Sequence, residues 1–350
     1  MRTNLSSQIS LNNVSPRYYK PENAVERSVL TRLEKIPTDI FETIEEGVKH
    51  IADEVAAKIQ ERQREGKFCT LAIGTGTSLR PLFTELVRRH KDEGLSFRNV
   101  VVFNLYEFYP LTEGNGSTFG QLNSLFLSQT DIDRQNVFTI DGSIPQNAIS
   151  EHCRLYEQRI QTFGGIDIVL MGIGREGNIG MNEPGSHASS PTRLILLDAT
   201  SRSEAARNWG VDNLPPCSIT MGVQTILSAR KIYLLTWGED KADIIQKAVE
   251  ENINDTLPAS FLQLHNNVNV CIDLAAASHL TRIQRPWLVT SCEWNDKLIR
   301  SAIVWLCQLT GKPILKLTNK DYNENGLSEL LALFGSAYNV NIKIFNDLQH

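Results

Sequence analysis

Hydrophobic positions along the chain follow two alternating rhythms. Short, nearly solid apolar runs fall at residues 68–73, 100–105, 166–171, 193–197, 217–221, 231–236 and 268–272. Runs of that length, without polar alternation, predict strands covered on both faces, as in a parallel sheet. Between them the spacing turns helical. The clearest stripe is Ile40, Ile44, Val48, Ile51, Val55 and Ile59, which predicts a helix capped by Thr38 or Asp39, running to about Arg64 and stopped by Gly66. Further helices are expected near residues 24–33, 79–91, 117–128, 148–163, 201–209, 223–228 and 242–250. Alternation of this kind over residues 38–275 predicts an α/β fold with a doubly wound, mostly parallel sheet and helices on both faces.

The pattern changes at Arg282–Pro286. Beyond it, strand-like runs at 287–290, 313–317 and 340–345 and helical stretches at 295–309 and 327–334 predict a small C-terminal α/β unit. The expected division is therefore an N-terminal arm over 1–37, a main domain over 38–281 and a small unit over 282–350. The last strand-like run has no closing helix after it, which reads as a cut chain end.

The stretch around which the chain is organised is 166–184. A buried strand leads into Gly172, Gly174, Gly177 and Gly180, with Glu176, Asn178 and Glu183 carried on the loop. Ligands of open α/β sheets bind at the carboxyl ends of strands, where this loop lies. Gly172, Gly174 and Gly177 also spell the dinucleotide fingerprint, with Asp198 at a plausible distance to hold a ribose. That fingerprint needs a helix opening at its third glycine to receive a pyrophosphate. Asn182, Pro184, Gly185 and Pro191 break any such helix, so a nicotinamide or flavin cofactor is disfavoured.

Two other stretches carry candidate chemistry. Gly74-Thr75-Gly76-Thr77-Ser78 joins a strand to a helix, a geometry that offers backbone N–H groups and hydroxyls to a phosphate; the plain alternative is a βα turn. Lys241 opens a helix, where a cation opposes the dipole, so a bound anion would explain it, and a solvated surface lysine is the alternative. Glu107, at the end of the strand 100–105, is a candidate acid or base or else a solvent-facing loop acid.

Composition narrows the classes. The 350 residues are 41% hydrophobic and 21% charged, ordinary for a globular protein with material for about two domains. A net charge of −5 leaves no basic footprint for nucleic acid. Six scattered cysteines without a C-x-x-C pair point to free thiols and a cytoplasmic address, and seven histidines show no metal-ligand spacing. No apolar run is long enough for a membrane span, and residues 1–21 lack a signal-peptide core.

Together, Gly74–Ser78, Phe103-Asn104-x-x-Glu107, Gly172-x-Gly174-x-x-Gly177-x-Ile179-x-x-Asn182-Glu183-Pro184, Thr192-Arg193, Gly222-Val223 and Leu262–His265 carry a resemblance. Over about residues 40–275 the chain resembles the glucosamine-6-phosphate deaminase family. The Asn-Glu-Pro ending separates it from the related phosphogluconolactonases, which share the fold. The resemblance implies a cofactor-independent enzyme, a hydrolase acting on an amino-sugar phosphate. Such an enzyme opens the sugar ring, isomerises aldose to ketose and releases ammonia to leave fructose 6-phosphate. It implies phosphate contacts from Thr75, Gly76, Thr77, Ser78, Arg207 and Lys241, and an acid role for Glu183 beside a ring-opening histidine. A homo-oligomer is compatible with it, and long family members carry a further deacetylase-like domain at the C-terminal side.

Three positions depart from the family. Tyr106 stands where an aspartate carries the C1–C2 proton, Asn178 where the ring-opening histidine belongs, and Glu176 where that histidine has an aspartate partner. Asparagine relays no proton, and an ordinary tyrosine is a poor base at neutral pH. Ile195 replaces a lysine of the family's effector pocket. Two functions stay open: a deaminase whose acid/base set is rebuilt around Glu107, Glu176 and Glu183, or a catalytically impaired sugar-phosphate-binding or regulatory domain.

Overall fold

The computed structural model describes residues 14–112, 116–210 and 214–349. They fall into two compact units, residues 34–278 and residues 14–33 together with 279–349.

In chain order, helix α1 (Ala24–Leu30) belongs to the smaller unit. The larger unit then runs β1 (Thr38–Phe41), α2 (Ile44–Arg64), β2 (Cys69–Ile73), α3 (Arg80–Glu93), β3 (Val100–Asn104), β4 (Tyr106–Tyr109) and α4 (Thr118–Leu125). It continues through β5 (Val137–Phe138), α5 (Ile149–Thr162), β6 (Ile168–Met171), β7 (Arg193–Leu196), α6 (Ala199–Trp209) and β8 (Cys217–Thr220). It closes with α7 (Val223–Leu227), β9 (Lys231–Thr236), α8 (Ala242–Glu250) and β10 (Val268–Asp273). Seven strands form one sheet in the order β1-β10-β9-β6-β2-β3-β5, and every pairing in it is parallel. The other three, β4, β8 and β7, make a small antiparallel sheet. β2, β3 and β6 are buried at every residue, as the solid apolar runs predict for strands covered on both sides.

The helical stripe is as expected from Ile44 onward. Val48, Ile51, Val55 and Ile59 share one core with Leu71 of β2, Leu235 of β9 and Cys271 of β10. Its start needs correction. Residues 38–41 pair in register with β10, and Thr43, not Thr38 or Asp39, caps α2 by accepting from the Glu46 amide at 3.2 Å. Ile40 sits four residues before Ile44 and so mimics a helical position, but its side chain is buried as part of a strand whose burial alternates.

The smaller unit is helical, which corrects the expected α/β unit. It holds α9 (Thr281–Gln284), α10 (Asp296–Thr310), α11 (Asn319–Glu324), α12 (Ser328–Phe334) and α13 (Ala337–Gln349). The runs taken as strands at 287–290 and 313–317 instead contain short 3₁₀ turns, Pro286–Leu288 and Ile314–Lys316, and 340–345 lies inside α13. Ala337, Val340 and Ile344 are spaced by three and four and are all buried with Ile303, Leu306 and Tyr322. That spacing is helical, and a short apolar run by itself does not separate the two states.

All six cysteines are free thiols. Among the described residues no helix is long and apolar enough to cross a membrane.

Candidate functional site

From β2 the chain steps to β3 and outward to β5, then returns through α5 to β6 on the other side of β2. The loops leaving β2 and β6 therefore diverge. In open α/β sheets such a switch point holds the ligand crevice. A cavity opens there, walled by residues of both loops, by Tyr106 of β4, by Ser201, Glu204 and Ala205 of α6, and by Lys241.

The first wall is residues 74–78. The amide of Gly74 donates to Leu170 O at 2.9 Å and that of Leu79 to Gly76 O at 3.0 Å, which fixes both ends of the turn. The amides of Thr75 and Gly76 between them have no acceptor among the described residues. Thr75 is buried, with its hydroxyl 3.5 Å from the Tyr106 phenol.

The second wall is the glycine-rich loop. No helix opens at Gly177; the loop closes instead through Gly174 N to Asn178 O and Gly177 N to Gly174 O, each 3.0 Å. Gly177 takes a φ of +74°, and a Cβ at Gly174 would lie 1.8 Å from Asn178 Oδ1. The bare glycine thus makes the space into which the Asn178 amide folds. Asn178 is buried, and its Oδ1 receives no donor. Behind the loop, Asn182 donates to Ile179 O and Met221 O, and Arg193 donates to Asn182 Oδ1 at 2.8 Å and Ser186 Oγ at 2.9 Å.

Lys241 ends a 3₁₀ turn, Glu239–Lys241, that leads into α8, and its ammonium already has an anion. Glu204 Oε1 lies 2.7 Å from Lys241 Nζ, while Glu204 Oε2 accepts from the Arg175 amide at 3.0 Å. The lysine placed unfavourably at a helix start is thus offset by a carboxylate of α6.

Glu183 stands one side chain behind the wall. Ser201, which lines the cavity, donates to Glu183 Oε2 at 2.9 Å, and the buried Oε1 receives no donor. Burial raises the Glu183 pKa above its ordinary 4.5, against the lowering pull of Ser201. Tyr106 is buried too, and desolvation pushes its phenol up to about 12, helped by the charges of Glu107 and Glu204.

Of the sequence-derived candidates, Thr75, Gly76, Thr77, Ser78, Tyr106, Asn178 and Lys241 line one cavity. Glu107 does not. Its carboxylate takes the amides of Phe108, Thr118 and Phe119 and the Ser117 hydroxyl, between 2.8 and 3.1 Å, and clamps the start of α4. A group holding four donors at a helix N-terminus is a structural acceptor, not the free acid expected of Glu107. Glu176 is exposed and is not among the described residues lining the cavity, and its charge adds to the raised pKa of Glu183. Arg207, in the last turn of α6, is exposed and donates to Ser203 O, so the two expected phosphate cations are not brought to the same wall. Ser201 and Glu204 were not singled out from the sequence. Their i, i+3 spacing, with Ala205 beside them, puts all three on one face of α6, the signal that would have found them. Among the described residues no cluster of three metal-ligating side chains occurs.

This is an α/β protein with a crevice at the switch point of its parallel sheet, a donor-rich turn on one side and a glycine loop on the other, the place where ligands of open α/β sheets bind. The family described as glucosamine-6-phosphate isomerases/6-phosphogluconolactonase matches residues 42–271, and the chain belongs to it. A glucosamine-6-phosphate deaminase-like protein of Bacteroides thetaiotaomicron is 68% identical over the whole of this chain, which spans 53% of that protein's length. Glucosamine-6-phosphate deaminase 1 of Bacillus subtilis is 36% identical over 64% of this chain and 93% of its own. Among solved structures, a monomeric glucosamine-6-phosphate deaminase superposes with a TM-score of 0.66 at 35% identity, covering 70% of this chain and all of its own. A 6-phosphogluconolactonase from Thermotoga maritima, at 16% identity and a TM-score of 0.53, shares the fold.

Proposed function

We propose that this chain binds an amino-sugar or hexose phosphate in the switch-point cavity and that the deaminase chemistry of its family is impaired. One observation carries the reading: among the described residues lining the cavity, the ionisable side chains are Tyr106, Glu204 and Lys241. Burial leaves the Tyr106 phenol a hydrogen-bond donor at neutral pH, and Glu204 is tied to Lys241. Asn178 orients an oxygen but moves no proton. Moving a proton between C1 and C2 of a sugar needs a positioned group that gains and loses it near the working pH.

The phosphate end is better provided. Lys241, Thr75 and Gly76 with their acceptor-free amides, and Thr77 and Ser78 with their hydroxyls line the same cavity. Such a turn ahead of a helix suits a phosphate.

The test is incubation with glucosamine 6-phosphate while following ammonia and fructose 6-phosphate, beside thermal-shift titration with sugar phosphates, glucosamine and NAD. A shift with the sugar phosphates and ammonia release no faster than the blank is expected. Turnover would overturn the impairment, and a flat thermal profile would overturn binding.

A second reading, an active deaminase, is favoured by Glu183. A buried carboxyl with a raised pKa and one vacant oxygen, a single side chain behind the wall, suits a proton donor. In that case ammonia release occurs and Glu183→Gln abolishes it.

A further inference from the structure

Lys241 and Glu204 are the charged residues of the cavity wall, and they face each other at 2.7 Å. Both side chains are largely withdrawn from solvent, at 11% and 16% exposure. Nearby, the amides of Thr75 and Gly76 still lack an acceptor among the described residues. The cavity thus carries amides without an acceptor and one cation, and that cation is occupied by a carboxylate of the same chain.

We propose that Glu204 is a built-in competitor for this cation, released from Lys241 when a sugar phosphate enters, and that it sets how strongly the cavity prefers phosphorylated over neutral sugars. This rests on the sugar-phosphate reading above.

A phosphate placed on Lys241 next to an unmoved Glu204 meets a like charge in a poorly solvated pocket, which is strongly unfavourable. Glu204 has somewhere to go. Its Oε2 is already held by the Arg175 amide, and the Arg175 guanidinium stands 3.8 Å from Oε1, with Asp240 as its other neighbour at 3.7 Å. Turning from Lys241 towards that guanidinium exchanges one cation for another and leaves the ammonium free. A neutral sugar needs no such exchange, so Glu204 weakens anionic ligands selectively.

The decisive variant is Glu204→Gln, which keeps the shape and an oxygen for Lys241 while removing the charge. Binding of glucosamine 6-phosphate, inorganic phosphate and glucose is measured by calorimetry on the full chain, with Lys241→Met in both backgrounds. Glu204→Gln is expected to tighten glucosamine 6-phosphate and phosphate by about tenfold or more, leaving uncharged glucose within about twofold. Lys241→Met is expected to erase the preference for the phosphorylated sugar in either background. An unchanged phosphate affinity, or equal shifts for charged and neutral sugars, overturns the role of Glu204 and leaves the binding reading standing. If neither wild type nor Glu204→Gln takes up any phosphorylated sugar, both fail.

Discussion

Ser201 Oγ donates to one oxygen of Glu183 while the other, equally buried, has no donor. Because burial raises its pKa, Glu183 holds its proton more tightly in the folded chain than in the unfolded one. Its contribution is fully present below the ordinary value of 4.5 and fades as pH rises through the folded-state pKa. Glu183→Gln stays neutral at every pH. Calorimetric scans should show it no more stable than wild type near the acid end and more stable at neutral pH. A gap of about 2–4 °C corresponds to about 1 kcal/mol in a domain of this size. A gap independent of pH would assign the effect to packing.

Gly174→Ala sets a methyl group where Asn178 Oδ1 now lies. The amide must leave its pocket, so sugar-phosphate affinity should fall about as far as in Asn178→Ala. The double variant should fall no further, since the two changes remove one feature. Additive losses in a titration series would separate them.

Glu107→Gln turns a four-donor acceptor into an amide that presents its own N–H groups to donors. Unfolding in urea should show a loss of about 1.5–3 kcal/mol. Sugar-phosphate affinity measured well below the transition should be unchanged. A large affinity loss with intact stability would return Glu107 to the site.

Tyr106→Asp combined with Asn178→His gives the cavity two groups able to exchange protons near neutrality. If impairment comes from those two positions, ammonia release from glucosamine 6-phosphate should rise by about 10²-fold or more over wild type. No gain in a folded double variant would place the deficit elsewhere on the wall, with Glu204 the next position to change.

Much of the larger unit was legible because its strands are solid apolar runs and its helices carry long stripes, from Val48 to Ile59 above all. The turn at 74–78, the glycine loop and Lys241 were legible for the same reason, since each sits at a strand's end. What escaped depends on contacts distant in sequence. Glu107 looks like a free loop acid until Ser117, Thr118 and Phe119 fold back onto it. Glu204 looks like one more surface charge of a helix until α6 is laid against Lys241, 37 residues further on. Short runs such as 340–345 failed because burial on one side of a helix and on both sides of a strand leaves the same letters in so few residues.

The smaller unit is assembled from both ends of the described chain. Leu30 of α1 and Tyr18 are buried, Arg17 donates to Ser291 Oγ at 3.3 Å, and Arg32 donates to Leu288 O. Residues 14–33 leave the ribosome long before residues 279–349 exist. Their partners arrive only after the intervening sheet has been synthesised, so these early residues are among the last to find their place. Removing residues 14–33 from an expressed chain would strip residues 279–349 of their covering and leave the scaffold of the switch-point cavity whole.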